Sequence, residues 1–138
     1  MATCTRFEDI DAWQKASSLT ARVHVLTAKG SDSRDYAFVW QIRTGAISVM
    51  SNIAEGFERE GTKAIVNFLS IAKGSAAEVR TLLYAALDIG YCDRAKFGEL
   101  SFSATEIGRM IGGLMRYLCQ SEMRSRKFMA DPPKPNQQ

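Results

Sequence analysis

A line of small and polar side chains lies along one predicted helix, and its chemistry could support catalysis or anion binding. The residues follow one another at alternating steps of four and three: Gln41, Gly45, Ser48, Asn52, Glu55 and Arg59. This spacing places them on one helix face, and we call them the polar seam. An amide, a carboxylate and a guanidinium in register could form a catalytic or anion-binding groove. The alternative is a set of hydrogen bonds that fixes helix register, with Glu55 and Arg59 as an ion pair.

Other catalytic and metal-binding patterns are missing from the sequence. His24 is the single histidine, and Ala21 occupies the position that a Glu-x-x-His metal motif requires. The cysteines Cys4, Cys92 and Cys119 lack the spacing of metal ligands. Their odd number favours free thiols in a reduced, cytoplasmic setting. No phosphate-binding loop or dinucleotide fingerprint occurs, so we predict a non-enzymatic protein without metal or cofactor.

Basic residues are concentrated in the second half of the chain. Residues 1–60 contain seven basic and eight acidic residues, whereas residues 61–138 contain eleven and seven. One cluster lies at the end of the last predicted helix: Arg116, Arg124, Arg126 and Lys127. Such cations either stabilise a helix C terminus through its dipole or bind phosphates. Only Tyr117 and Phe128 accompany them, so a nucleic-acid contact there would read backbone and shape rather than bases.

Four predicted helices must position these side chains. Apolar residues recur at steps of three and four, which is typical of helices packed along their length. The most regular stripe is Phe97, Leu100, Ala104, Ile107, Ile111, Leu114 and Leu118. A similar stripe in the third segment is Ile65, Leu69, Ala72, Ala76, Val79, Leu83 and Ala86. In the second segment the predicted core face is Phe38, Ile42, Val49 and Ile53. In the first segment it is Trp13, Ala16, Val23 and Leu26.

The connections between these segments are short, which forces neighbouring helices to run antiparallel. We therefore predict an all-α protein, an antiparallel up-down-up-down four-helix bundle over residues 1–121. Residues 122–138 form a basic, proline-containing tail that we predict to be disordered. No stretch approaches the ~20 apolar residues that a membrane-spanning helix needs, so no membrane partner is expected.

Several residues have predicted roles at helix ends and crossings. The candidate N-caps are the pair Asp32 and Asp35 for the second helix, Thr62 for the third and Asp93 for the fourth. Gly90 is the candidate stop of the third helix. Two mid-helix glycines, Gly45 and Gly74, predict a close crossing of the second and third helices. Gly108 and Gly112 predict similarly close packing of the fourth helix.

The second helix carries more apolar surface than one core requires. Trp40, Ile47 and Met50 lie beside its core stripe. A helix that is apolar on most of its circumference is buried on most of it, which predicts a homo-oligomer interface at these residues. The alternative is a thick core with Trp40 at its rim.

Several segments resemble a known family. Four segments are similar to signatures of the bundle proteins encoded in intervening sequences of bacterial 23S rRNA genes. They are residues 7–16, the Gln41-Ile-Arg43 triplet, residues 48–59 with Asn52-Ile-Ala-Glu-Gly56, and residues 68–75. Departures are Thr44, where relatives often have a second arginine, and Met50, where they usually have proline. The missing arginine weakens the basic groove that the resemblance would otherwise imply.

The resemblance implies a four-helix bundle that assembles into a ring-shaped homo-oligomer, a pentamer. Related proteins accompany diversity-generating retroelements, where they assist a reverse transcriptase and its RNA. Arg43 and Arg59 thereby join the helix-four cluster as candidate nucleic-acid contacts. The leading hypothesis is a non-enzymatic oligomer that binds RNA or a nucleoprotein. The alternatives are a protein-only scaffold or adaptor, and an enzyme that uses the polar seam.

Overall fold

The computed structural model describes residues 5–130, without the side chains of Ser31 and residues 126–130. Within this range the chain forms α1 (Asp11–Ala28), α2 (Tyr36–Phe57), α3 (Thr62–Ile89) and α4 (Arg94–Ala130). Short 3₁₀ turns at Phe7–Asp9 and Ser31–Arg34 precede α1 and α2. No strand occurs among these residues, which confirms the all-α prediction.

Each helix packs against two others around one apolar core. α1 contacts α2 and α4, and α3 contacts the same two helices, whereas no Cα atoms of the diagonal pairs α1–α3 and α2–α4 lie within 8 Å of each other in the described range. This is the antiparallel four-helix bundle that the sequence predicts. The α4 stripe is confirmed, since Leu100, Ala104, Ile107 and Ile111 are fully buried. Phe97, Leu114 and Leu118 pack against the core at its margins.

The core face of α1 is rotated slightly from the predicted one. Ala16 and Val23 are buried as expected, but Leu19 is also fully buried and takes the central position. Trp13 is only partly buried, and the ring of Phe7 packs edge-on against it at 5.3 Å between centroids. The bulky indole therefore covers one end of the bundle instead of filling its centre.

The helix ends match the predictions except at Thr62 and Asp32, since Asp35 alone of the predicted pair caps α2. Asp35 accepts a hydrogen bond from the Phe38 amide at 3.2 Å. Asp93 accepts one from the Lys96 amide at 2.8 Å, so both N-caps are confirmed. Thr62 was wrongly predicted as a cap; it is the first residue of α3, and Gly61 holds the cap position at φ +86°.

Two further contacts define the ends of α3 and α4. Gly90 ends α3 in the left-handed region at φ +92°, as predicted. The Thr62 hydroxyl donates to Glu122 Oε2 at 3.0 Å, which ties the start of α3 to the last third of α4. α4 continues as helix to Ala130, beyond the predicted end of the bundle at residue 121. The remainder of the predicted tail, residues 131–138, lies outside the described residues.

Gly45 of α2 packs closely against a side chain of α3, whereas Gly74 takes no part in the contact between the two helices. A Cβ added at Gly45 would lie 3.3 Å from Val79 Cγ2, whereas one added at Gly74 would meet nothing within 4 Å. The prediction for Gly74 is wrong because it paired residues by their distance from the turn. Helix side chains lean towards their own N terminus, so residues in contact across an antiparallel pair are offset along the chain.

Candidate nucleic-acid interface

The centre of the polar seam joins α2 to α3 through hydrogen bonds. The hydroxyls of Ser48 and Ser75 lie 2.8 Å apart across the two helices. The Asn52 amide nitrogen donates to the Ser48 carbonyl oxygen at 2.8 Å and lies 3.0 Å from the Ser48 hydroxyl. These polar atoms satisfy one another at the helix interface, which matches the structural interpretation of the seam.

The outer part of the polar seam does not extend this network. Gln41 and Glu55 are exposed, and the Arg59 guanidinium lies 4.9 Å from the ring centroid of Phe68. Within the described residues no ion pair joins Glu55 to Arg59, so that prediction is wrong. The cation lies over an aromatic face instead, an arrangement that is favourable by itself. A shallow pocket of about 360 Å³ lies beside Glu55 and Arg59, but Ser48 and Asn52 do not line it.

The arginines proposed from the sequence as nucleic-acid contacts do not form one site. Arg43 donates from Nε to the buried Thr27 hydroxyl at 2.8 Å, which ties α2 to α1. Arg59 lies at the turn between α2 and α3, and Arg124 is exposed on α4. The side chains of Arg126 and Lys127 lie outside the described part of the chain. Arg116 lines a cavity between α3 and α4, and Arg59 lines the separate pocket beside Glu55.

A basic groove lies between α3 and α4 and encloses about 420 Å³. Its basic lining residues are Lys73, Arg80, Arg109 and Arg116. The rest of the lining is small: Ala76, Ala77, Ala104, Thr105, Gly108 and Gly112. A Cβ added at Gly108 would meet nothing within 4 Å, so the predicted close packing at this glycine is wrong. Small residues here leave space between the helices.

The electrostatics of the basic groove favour an anion. No acidic residue lines it, and none of its four cations forms an ion pair within the described structure. The Nε atom of Arg80 is buried and has no hydrogen-bond partner. A buried donor without a partner costs about 1–3 kcal/mol, and neighbouring cations repel one another. An anion in the groove would relieve the repulsion between these cations.

Three of the four groove cations were missed by the sequence prediction, although a signal exists. Lys73 and Arg80 are seven residues apart on α3, as are Arg109 and Arg116 on α4. Residues seven apart share a helix face, so each pair forms a basic line beside an apolar stripe. Because α3 and α4 are consecutive antiparallel helices, the two lines could be expected to face one groove.

The predicted oligomer-interface residues differ in their exposure. Trp40 is 68% exposed and Ile47 is 46% exposed on α2. Met50 is partly buried and packs against the core, so it contributes mainly to the bundle itself. Trp40 and Ile47 are seven residues apart and therefore lie on one face of α2. They leave an apolar surface on the outside of the bundle.

A polar contact at the opposite end of the bundle from the α2–α3 turn affects two titratable groups. The Tyr91 hydroxyl donates to Asp35 Oδ2 at 2.7 Å. This bond, with the Phe38 amide, lowers the pKa of Asp35 below its ordinary value. The same bond raises the pKa of Tyr91. Nearby, partial burial raises the pKa of the Cys92 thiol.

Residues 5–130 contain no cluster of metal ligands and no helix suited to cross a membrane. No group of three or more His, Cys, Asp or Glu side chains in residues 5–130 is placed to hold a metal ion. His24 Nδ1 lies 2.9 Å from the Thr20 carbonyl oxygen on the same helix. None of the helices, over the part that the structure describes, combines the length and apolar character needed to cross a membrane.

These features define a four-helix bundle with a basic groove between its last two helices. Residues 8–113 match the family described as 23S rRNA-intervening sequence protein, and the chain belongs to that family. A crystal structure of a protein of unknown function from the S23 ribosomal protein family of Bacteroides thetaiotaomicron has the same fold, with a TM-score of 0.69 and 19% identity. The match covers 75% of this chain and 97% of that one. No curated protein matches the chain.

Proposed function

We propose that this protein is a non-enzymatic, cytoplasmic homo-oligomer that binds RNA, and that the basic groove holds the RNA phosphates. The observation that carries the proposal is the set of four cations without acidic partners around a groove of about 420 Å³. The family description refers to ribosomal RNA, which favours RNA as the polyanion. Contacts with phosphates supply most of the affinity in such complexes.

The basic residues are spread along both walls of the groove. A Cβ added at Gly112 would lie 3.4 Å from Arg116 Nη1 and 3.6 Å from the Lys73 amine, so these two charged ends converge on one part of the groove. Arg80 is seven residues from Lys73 along α3, and Arg109 is seven residues from Arg116 along α4. At 1.5 Å per residue each separation is about 10 Å along the helix. Several consecutive phosphates could therefore be bound at once.

The test compares two triple variants of equal charge. Lys73→Gln, Arg109→Gln and Arg116→Gln remove exposed groove cations but keep the partly buried Arg80. The control removes one lysine and two arginines from the opposite end of the bundle: Lys29→Gln, Arg34→Gln and Arg94→Gln. RNA binding is measured by fluorescence anisotropy over a series of salt concentrations.

The groove variant should bind more weakly, and its slope of log K against log salt should flatten by about 0.7 for each lost phosphate contact. The control should behave like the parent. Equal affinities and slopes for both triple variants would overturn the groove as the phosphate site. A third variant, with Arg124, Arg126 and Lys127 changed to Gln, tests whether the end of α4 contributes, as the sequence predicts.

The homo-oligomer is supported by the exposed Trp40 and Ile47 on one face of α2. Burial of apolar surface drives most protein association. The family resemblance favours a pentamer, in which the groove would be repeated around a ring and its pull on one RNA multiplied. Sedimentation equilibrium at micromolar concentration should give a multiple of 15.3 kDa. A monomer mass would remove this part of the proposal.

A second candidate is a protein-only scaffold or adaptor, which the same exposed face of α2 favours. It predicts no salt-dependent RNA binding, so the titration above separates the two. An enzyme based on the polar seam has less support, because Asn52 and Ser48 are hydrogen-bonded to each other at the helix interface. Only Glu55 and Arg59 of the seam line the adjacent pocket.

A further inference from the structure

Exposed aromatic side chains lie next to one end of the basic groove. Tyr84 follows the groove residue Arg80 by one turn of α3 and is 53% exposed. Phe102 precedes the groove residue Thr105 by one turn of α4 and is 68% exposed. Since residues three or four apart are neighbours on a helix surface, both rings border the groove at the Arg80 end.

The ring of Tyr84 is held in place although half of its surface is open to solvent. Its centroid lies 4.8 Å from that of Phe97, and the two planes are tilted by 60°. Such tilted pairs are favourable and restrict the motion of the ring. A ring that is already fixed loses little conformational entropy when a ligand stacks on its free face. Tyr84 therefore has the properties of a stacking platform.

We propose that the ligand of the basic groove is a single-stranded RNA segment whose bases stack on Tyr84 and Phe102. This inference rests on the proposed phosphate-binding role of the groove and adds the form of the RNA. A positively charged groove that follows the backbone, bordered by aromatic rings that receive bases, is the usual arrangement in single-strand binding proteins. Bases in a duplex are stacked on each other and offer no free face to a ring.

In the sequence only Tyr117 and Phe128 lie beside the basic cluster at the end of α4, which predicted little contact with bases. Tyr84 is distant from that cluster along the chain, and α3 brings it to the groove. Stacking tolerates any base, because every base has a π face. The protein should therefore distinguish single strands from duplexes while showing little sequence preference.

The experiment uses three RNA probes of about eight nucleotides: a single strand, the same strand with abasic ribose at every position, and the duplex. The abasic strand keeps the phosphates and lacks the bases. The parent protein should prefer the base-bearing single strand over both other probes. Phe102→Leu and Tyr84→Leu should each weaken that binding at least about fivefold. Affinity for the abasic strand and the salt slope should not change.

Two controls keep the test informative. Tyr36→Leu removes an aromatic ring that is 78% exposed on α2, away from the groove, and should bind like the parent. Tyr84→Leu also loses the contact with Phe97, so Tyr84→Trp should restore binding if stacking is the cause.

The outcomes distinguish this inference from the proposed function. Equal affinity for the base-bearing and abasic strands would overturn base stacking, and so would a preference for the duplex. In either case a steep salt dependence that is lost in the groove triple variant would leave the phosphate site in place. Salt-independent binding of every probe would overturn the proposed function itself.

Discussion

Replacing Gly56 with alanine tests the closest approach of α2 to α3. Gly56 is buried near the end of α2, and a Cβ at this position would lie 3.0 Å from Phe68 Cβ and 3.4 Å from the Ile65 carbonyl oxygen. Phe68 Cβ is bonded directly to the backbone, and the Ile65 oxygen is part of it. Neither atom can move by a change of rotamer, so the two helices must separate to accept the methyl group.

The size of the effect follows from two opposing contributions. Overpacking a well-packed contact costs about 1–3 kcal/mol, and replacing glycine by alanine in a helix regains up to about 1 kcal/mol. Gly74→Ala on α3 is the matched control, because Gly74 is exposed and a Cβ there would meet nothing within 4 Å. It should stabilise the protein by up to about 1 kcal/mol. The difference between the two variants, about 1–3 kcal/mol, measures the overpacking alone.

Thermal and urea unfolding followed by circular dichroism would measure both variants at one protein concentration, since association makes the midpoint concentration-dependent. For a chain of this size 1 kcal/mol shifts the midpoint by roughly 3–5 °C. Gly56→Ala should therefore melt several degrees below Gly74→Ala. If Gly56→Ala is as stable as Gly74→Ala or more stable, the described packing at the end of α2 is incorrect.

Three further predictions concern the helix ends and the surface. Tyr91→Phe should destabilise the protein at pH 7, because it removes the hydrogen bond that lowers the pKa of Asp35. The stability that this bond contributes is lost as the pH falls through the lowered pKa of Asp35. In urea titrations the free energies of unfolding of parent and variant should therefore converge below about pH 4. Trp40→Ser should reduce the sedimentation mass if the exposed face of α2 is the subunit interface, and an unchanged mass would exclude Trp40 from it. In a Cys4→Ser background iodoacetamide should modify the exposed Cys119 well before Cys92. Burial raises the pKa of the Cys92 thiol, so less of it is the reactive thiolate. Equal rates of modification would contradict that burial.

The sequence predicted the fold well because helix periodicity is a local property. The α4 stripe alternates steps of three and four without interruption, and its central members from Leu100 to Ile111 are fully buried. N-caps and helix stops also depend on neighbouring residues, which explains the success at Asp93 and Gly90. The prediction of Thr62 as an N-cap failed because its side chain has a tertiary partner, Glu122, on another helix.

The basic groove was not predicted from the sequence, because it depends on the relative rotation and register of two helices. Arg116 was chosen for its basic neighbours along the chain, whereas its neighbours in the groove include Lys73, Arg80 and Arg109. Gly74 was assigned to the crossing by an assumption of level pairing, which the lean of helix side chains does not support. The polar seam was identified correctly as a line, but the sequence could not decide which members would face α3.

Acetylation footprinting of Lys73 tests the central claim most directly, because it requires no substitution. Lys73 is an exposed residue of the basic groove. Lys29, just beyond the end of α1, is also exposed and does not line the groove. Modification rates would be measured by mass spectrometry with and without saturating single-stranded RNA. If the groove holds RNA phosphates, Lys73 should be protected while Lys29 reacts at its original rate. Unchanged reactivity of Lys73 under saturation would contradict the account.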